Sequence, residues 1–412
     1  MRVATHRAPE LVFSEHEFDV PLDHSSPERG KLTVFAREVV SPDREHDELP
    51  WLVFFQGGPG SESPRPLQLV QKTWLARALL DYRVLLLDQR GTGRSTPVGD
   101  LAGSAEEQAE YLTHFRADSI VRDAELIRHQ FGIESWSVLG QSFGGFCVVN
   151  YLSYAPEGLT AAFLTGGLPP LERHPDEVYR ATYEAAARKN RAYYERYPED
   201  RDRVASILER VESEDVCLPA GDRLTRRRFR QLGQLLGMTD GFERLHYILE
   251  LPFGSRAFLH DIEAVDPFTR NPIYAVIHEA CYSSGAASRW SAERVFPDEF
   301  RDDPTLLTGE HVYPWMFDEY EQLRPLAGAA EILAEHEWPA LYDVEQLRRN
   351  EVPAAAAIYA EDMYVERAFS EETAASIRGL RSWLTNEFEH DALRQEGERV
   401  LGRLIDLVQG RA

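Results

Sequence analysis

The sequence predicts an α/β protein: a mostly parallel sheet with helices on both faces, interrupted by a helical insertion. Three observations predict it. Short apolar runs alternate with helical patterns over the first 167 residues. From Leu168 to about Ala340 that alternation gives way to helical periodicity rich in Arg, Glu, Tyr and Leu. The strand pattern then returns at Val352. Strands that alternate with helices pair in parallel, because each helix carries the chain back to start the next strand. The chain therefore divides into a first core part, 1–167, an insertion, 168–340, and a second core part, 341–412.

The elements follow in order. "KLTVFAREVV" from Lys31 reads as a strand, and "WLVFF", ending at Phe55, as a buried one followed by "QGGPG". "RVLLLD" from Arg83 is another, followed by "QRGTGRS". "DSIVRDAELIRHQFG" places Ile120, Val121, Ala124, Ile127 and Phe131 at helical spacing and stops at Gly132. "SWSVLG" is the next strand. "FGGFCVVNYLSYAP" is a helix ending before Pro156, and "LTAAFLTGG" a further strand. "EVYRATYEAAARKNRAYYERY" is the clearest helix of the insertion. "VPAAAAIYAED" and "IRGLRSWLTNEFEH" supply the late strands. Ligands of such sheets sit at the carboxyl ends of the strands. There lie "QGGPG", "QRGTGRS" and "GQSFGG".

Composition narrows the function. The 412 residues carry 45 Lys and Arg against 69 Asp and Glu, a net charge of −24. That balance argues against a nucleic-acid surface and is compatible with substrates bearing a free amine. Cys147, Cys217 and Cys281 show no paired spacing, so reduced thiols and a cytoplasmic location are expected. The first twenty residues carry charges throughout and lack the apolar stretch of a secretory signal, and no run is long enough for a membrane span.

"SVLGQSFGG" carries the chemistry. A nucleophilic serine needs an exposed Oγ, a base beside it and amide donors for the oxyanion. A sharp strand-to-helix turn exposes Ser142 but crowds the positions two before and two after it, where Gly140 and Gly144 stand. Gly145 permits close packing behind. An ordinary glycine-rich turn is the bland alternative; the flanking strand and helix favour the nucleophile. The amide of Phe143, next after the serine, is one expected oxyanion donor, and the glycine-bared "QGGPG" loop is the natural second wall. "GTGRST" is no dinucleotide fingerprint, since Thr96 stands where the third glycine belongs.

Hydrolases built on such a sheet order their triad Ser, then Asp or Glu, then His. "IYAEDMYV" ends a late strand with Glu361 and Asp362, and "NEFEHDALR" places His390 after the last strand. Asp362 is preferred over Glu361 because the residue before the "MYV" turn should face the histidine. The remaining histidines precede Ser142 or fall in the insertion, where structural or solvent-exposed roles are expected. "HEACY" is not H-E-x-x-H and no C-x-x-C occurs, so no catalytic metal is expected. "TRRRFR", Thr225 to Arg230, reads as a solvated helix face.

With these pieces in place, the sequence resembles the proline iminopeptidases, in their longer-chain bacterial branch. The matching segments are "QGGPG", "LLLDQRGTGRS", "GQSFGG", "IYAEDMYV" and "NEFEHDALR", with "HEACYSSGAASRW" and "LTGEHVYPWMF" in the insertion. Gln56 departs from the pattern, since many relatives have His there. The resemblance implies an α/β-hydrolase core with a helical cap, and release of N-terminal proline from short peptides without a cofactor. It implies Ser142 as nucleophile, His390 as base, Asp362 as its partner, and Gly58 and Phe143 as oxyanion donors. It further implies cap glutamates that hold the substrate's amine, best matched by Glu279 and Glu310. Tyr313, Trp315 and Phe317 are then candidate pocket walls. An esterase or amidase, a tripeptidyl-type peptidase, and a catalytically silent receptor remain alternative readings. Ser142 excludes hydrolases that use an aspartate at this turn. Oligomeric state is not legible.

Overall fold

The computed structural model describes residues 2–411. Its strands are β1 (Arg2–Ala8), β2 (Leu11–Pro21), β3 (Lys31–Val40), β4 (Trp51–Phe55), β5 (Arg83–Leu87), β6 (Trp136–Gln141), β7 (Leu159–Thr165), β8 (Ala354–Tyr359) and β9 (Arg381–Thr385). They form one sheet in the order β1-β2-β3-β5-β4-β6-β7-β8-β9. Pairing is antiparallel from β1 to β5 and parallel from β5 to β9. The parallel strands β4 and β8 are apolar on both faces because crossover helices cover both.

The hairpin β1–β2 was not expected from the sequence. β1 is exposed along most of its length, so it has no apolar pattern to read. β2 does alternate, burying Phe18 and Val20 between exposed Glu17 and Asp19.

The helix Ala117–Gln130 buries Ile120, Val121, Ala124 and Ile127 and is followed by Gly132 in the left-handed region. The helix Phe143–Tyr154 is buried on nearly every side and ends before Pro156. A helix apolar all round must be covered all round. One buried apolar cluster joins this helix, one face of the sheet and the residues between β7 and β8. A second lies on the other face, under the C-terminal helix Gly397–Val408.

Between Thr165 and Ala354 the chain adds no strand to the sheet. Its longest helix there is Pro175–Arg196. Polar ties fasten this segment to the core. Arg116, buried, donates to the carbonyls of Ser283 (2.7 Å) and Pro339 (3.0 Å), and its guanidinium lies 4.5 Å from the Trp338 ring centroid. Asn150 donates to the Leu341 carbonyl at 2.6 Å.

The basic run is less solvated than its charge suggests. Arg228 is buried between Asp222 (2.8 Å) and Asp266 (3.3 Å), and Arg230 donates to two backbone carbonyls. Among the described residues, no helix is long and apolar enough to cross a membrane.

Candidate active site

Parallel register gathers the site. Phe55 of β4 pairs with Gly140 of β6, Gln141 with Thr165 of β7, and Thr165 with Ala357 of β8. The carboxyl ends of these strands therefore lie side by side. Ser142 follows β6, Gly166 follows β7, Asp362 follows β8 and His390 follows β9.

Ser142 sits at φ 55°, ψ −126°, a strained conformation for a residue with a Cβ. Its amide donates to the Thr165 carbonyl and its own carbonyl accepts from Gly145. The glycines around it are required by contact. A Cβ on Gly140 would lie 2.4 Å from the Gly144 carbonyl oxygen. One on Gly144 would lie 2.0 Å from the Phe55 oxygen, and one on Gly145 2.3 Å from the Gly167 oxygen.

The "QGGPG" loop lies against the same turn, since a Cβ on Gly57 would come 2.7 Å from that of Ser142. Gly58 follows at φ +57°. Phe143 opens its helix, where an amide has no acceptor within the helix. On the far side, a Cβ on Gly166 would stand 3.2 Å from Nδ1 of His390. Ser142 and His390 thus flank the Gly166–Gly167 turn.

His390 is buried, and its Nδ1 lies 2.7 Å from Oδ2 of Asp362. The other oxygen of Asp362 accepts from the amides of Tyr364 (2.9 Å) and Val365 (3.0 Å). These bonds fix the carboxylate, while Glu361 is exposed. Burial pulls the His390 pKa down, but the charge and hydrogen bond of Asp362, helped by Glu310, outweigh it and leave the imidazole above its ordinary value. With Nδ1 engaged by Asp362, Nε2 is the ring nitrogen that remains.

The family model described as alpha/beta hydrolase fold matches residues 50–307. A proline iminopeptidase of Aeromonas sobria is 49% identical over 95% of this chain and 95% of its own. One from Aspergillus aculeatus is 37% identical over 97% of this chain and 94% of its own. The chain belongs to the proline iminopeptidase family. It is an enzyme of the α/β-hydrolase fold.

Among the residues between β7 and β8, Glu310 interacts electrostatically with both His390 and Asp362. Burial pushes its carboxyl up to about 7, His390 opposes that shift and Asp362 adds to it. About a fifth of its side chain stays open. Its nearest cationic atom is Nε2 of His278 at 3.8 Å. Burial holds His278 down at about 4, so this ring is neutral near pH 7 and gives Glu310 no counter-charge.

The other expected pocket residues lie elsewhere. Glu279 is buried, and its two oxygens accept from the amides of Ser291 (3.1 Å) and Ala292 (2.9 Å). It is committed to the start of the short helix Ser291–Arg294. Tyr313 is buried with its hydroxyl 2.8 Å from that of Tyr183, and Trp315 stacks on it at 5.6 Å. Both line a cavity in the insertion that none of Ser142, Glu310, Asp362 or His390 lines. Phe317 packs on Trp290.

Sequence reasoning missed His278, which it grouped with structural histidines, and Tyr179, which lies 3.0 Å from His278 Nδ1. The signal was present in "HEACY", whose histidine rather than its glutamate lies beside Glu310. Tyr364, whose ring lies 4.7 Å from that of His390 and is tilted 51° to it, was also missed.

Proposed function

We propose that the protein is a serine aminopeptidase that releases N-terminal proline from short peptides through an acyl-enzyme. One observation carries the proposal: a largely buried carboxylate whose neighbouring imidazole is neutral, Glu310, lies within electrostatic reach of a buried His390–Asp362 pair beside the strained Ser142. A hydrolase of simple esters has no use for that charge. A substrate ammonium does, because an unpaired carboxylate in a dry pocket is stabilised by an ammonium with hydrogen bonds to give.

In this reading Ser142 Oγ attacks the prolyl carbonyl while His390 Nε2 takes its proton. The amides of Gly58 and Phe143 hold the oxyanion. His390 returns the proton to the leaving amine, and a water then releases proline by the same steps in reverse order. Asp362 keeps the imidazole in the tautomer that leaves Nε2 free. The scheme draws on no cofactor. Residues 168–340 act as the cap that carries Glu310, and Glu279 supports that cap from within. Three free cysteines, one of them exposed, favour a reducing, cytoplasmic setting.

The test is hydrolysis of a chromogenic prolyl amide, its N-acylated form and a small neutral ester. The amide with a free amine should be cleaved, and acylation should abolish cleavage. Equal turnover of the free and acylated amides would sink the aminopeptidase reading.

A further inference from the structure

The cavity lined by Tyr313 and Trp315 has a volume of about 250 Å³. Two unmatched charges of opposite sign line it. Arg230 donates through Nε to the Leu306 carbonyl and through Nη2 to the Phe300 carbonyl, both at 2.8 Å, and joins no ion pair among the described residues. Glu293, exposed to solvent, joins none either among the described residues, and the two are not paired with each other. The other guanidiniums of the lining are matched outside it: Arg227 pairs with Glu319, and Arg301 with Asp298.

Apolar walls stand around the two charges. Tyr313 and Trp315 stack with ring planes 17° apart, and Phe296 meets Tyr313 edge-on at 6.1 Å. The Tyr313 phenol senses both charges. Burial pushes its pKa up most, Arg230 pulls it down and Glu293 adds to the upward push. A cation and an anion therefore act on one aromatic wall without meeting each other.

We propose that this cavity binds a small zwitterion, a free amino acid or very short peptide with an apolar side chain. Its carboxylate would meet Arg230, its ammonium Glu293, and its side chain the rings of Tyr313 and Trp315. Guanidinium and carboxylate are complementary in shape and charge. The volume lies below the roughly 300–1,000 Å³ of drug-sized pockets, so the guest is small. The site is separate from the catalytic one, and the proposal does not depend on turnover.

The test is calorimetric titration of the full chain with L-phenylalanine. One site should be filled. 3-Phenylpropanoate and phenethylamine, each missing one charge, should bind at least roughly tenfold more weakly, and Glu293→Gln should weaken phenylalanine by roughly 10- to 200-fold. Arg230→Gln should do the same. Because Arg230 also holds two carbonyls, Glu293→Gln, which removes no protein contact, carries the decision. Glu310→Gln should leave this binding unchanged. Loss with Glu310→Gln but not with Glu293→Gln would place phenylalanine in the catalytic pocket and overturn the proposal. So would equal binding of the singly charged analogues, or no binding by the unaltered protein.

Discussion

His278 and Glu310 stand 3.8 Å apart, imidazole to carboxylate, yet they are no ion pair near pH 7. Burial keeps His278 neutral, with a pKa near about 4, and its other nitrogen is held by Tyr179. Glu310, its carboxyl pushed up to about 7 by burial, therefore has no counter-charge in His278, and its charged form is left for a bound ammonium to stabilise. Glu310→Gln preserves shape and removes that charge. A charge-assisted hydrogen bond contributes about 1.5–3 kcal/mol, so kcat/KM for a prolyl amide should fall roughly 10- to 200-fold. A neutral ester should hardly change. Equal loss on both substrates would assign Glu310 to the fold instead.

Glu279 should behave in the opposite way. Glu279→Ala strands the buried amides of Ser291 and Ala292, at a cost of about 1–3 kcal/mol for each unsatisfied group. The melting temperature should drop. Ester and amide turnover by the folded fraction should keep their ratio. A selective loss of amide hydrolysis would return Glu279 to the amine site.

Acid should inhibit through two groups. His390 must be neutral to act as base, and its pKa is raised, so it takes up a proton at a higher pH than an ordinary imidazole. In the proposed mechanism Glu310 must be charged to hold the amine, and it protonates at about 7. As pH falls, log kcat/KM for a prolyl amide should approach a slope of two, and for an ester a slope of one. Glu310→Gln should give one for both, and should shift the remaining limb to lower pH, since the Glu310 charge helps to raise His390. Unchanged profiles in that variant would remove Glu310 from the titration.

Ser142→Ala should abolish turnover and labelling by a fluorophosphonate while the melting temperature holds or rises, because alanine removes the nucleophile without adding bulk to a strained turn. Loss of the nucleophile alone costs on the order of 10⁶ in kcat in a well-studied serine protease. Residual activity above about one per cent would put the nucleophile elsewhere.

Gly145→Ala adds a methyl that would lie 2.3 Å from the Gly167 carbonyl oxygen, with backbone on both sides of the contact. Overpacking of this kind costs about 1–3 kcal/mol. The Gly166–Gly167 turn also separates Ser142 from His390, so activity should fall along with stability. A fully active, equally stable variant would mean that the turn yields freely.

The parallel core was legible in the sequence because its strands are continuous apolar runs and its turns need glycine. "WLVFF", "AAAAIY" and the glycines around Ser142 are local demands of burial and close approach, visible in any short window. Asp362 was preferred over Glu361 because the residue before the "MYV" turn should face the histidine, and Asp362 does lie 2.7 Å from His390 while Glu361 is exposed. What only the tertiary structure decided is where the insertion's side chains point. Glu279 and Glu310 look alike in sequence, each an acid in a short polar–aromatic segment. One is spent on the amides of Ser291 and Ala292, twelve and thirteen residues away. The other interacts electrostatically with His390, eighty residues further on in the loop after β9. No periodicity encodes that difference, because it depends on which elements pack together, and a carboxylate's role is set by whether its neighbours bring a donor or leave its charge unmet.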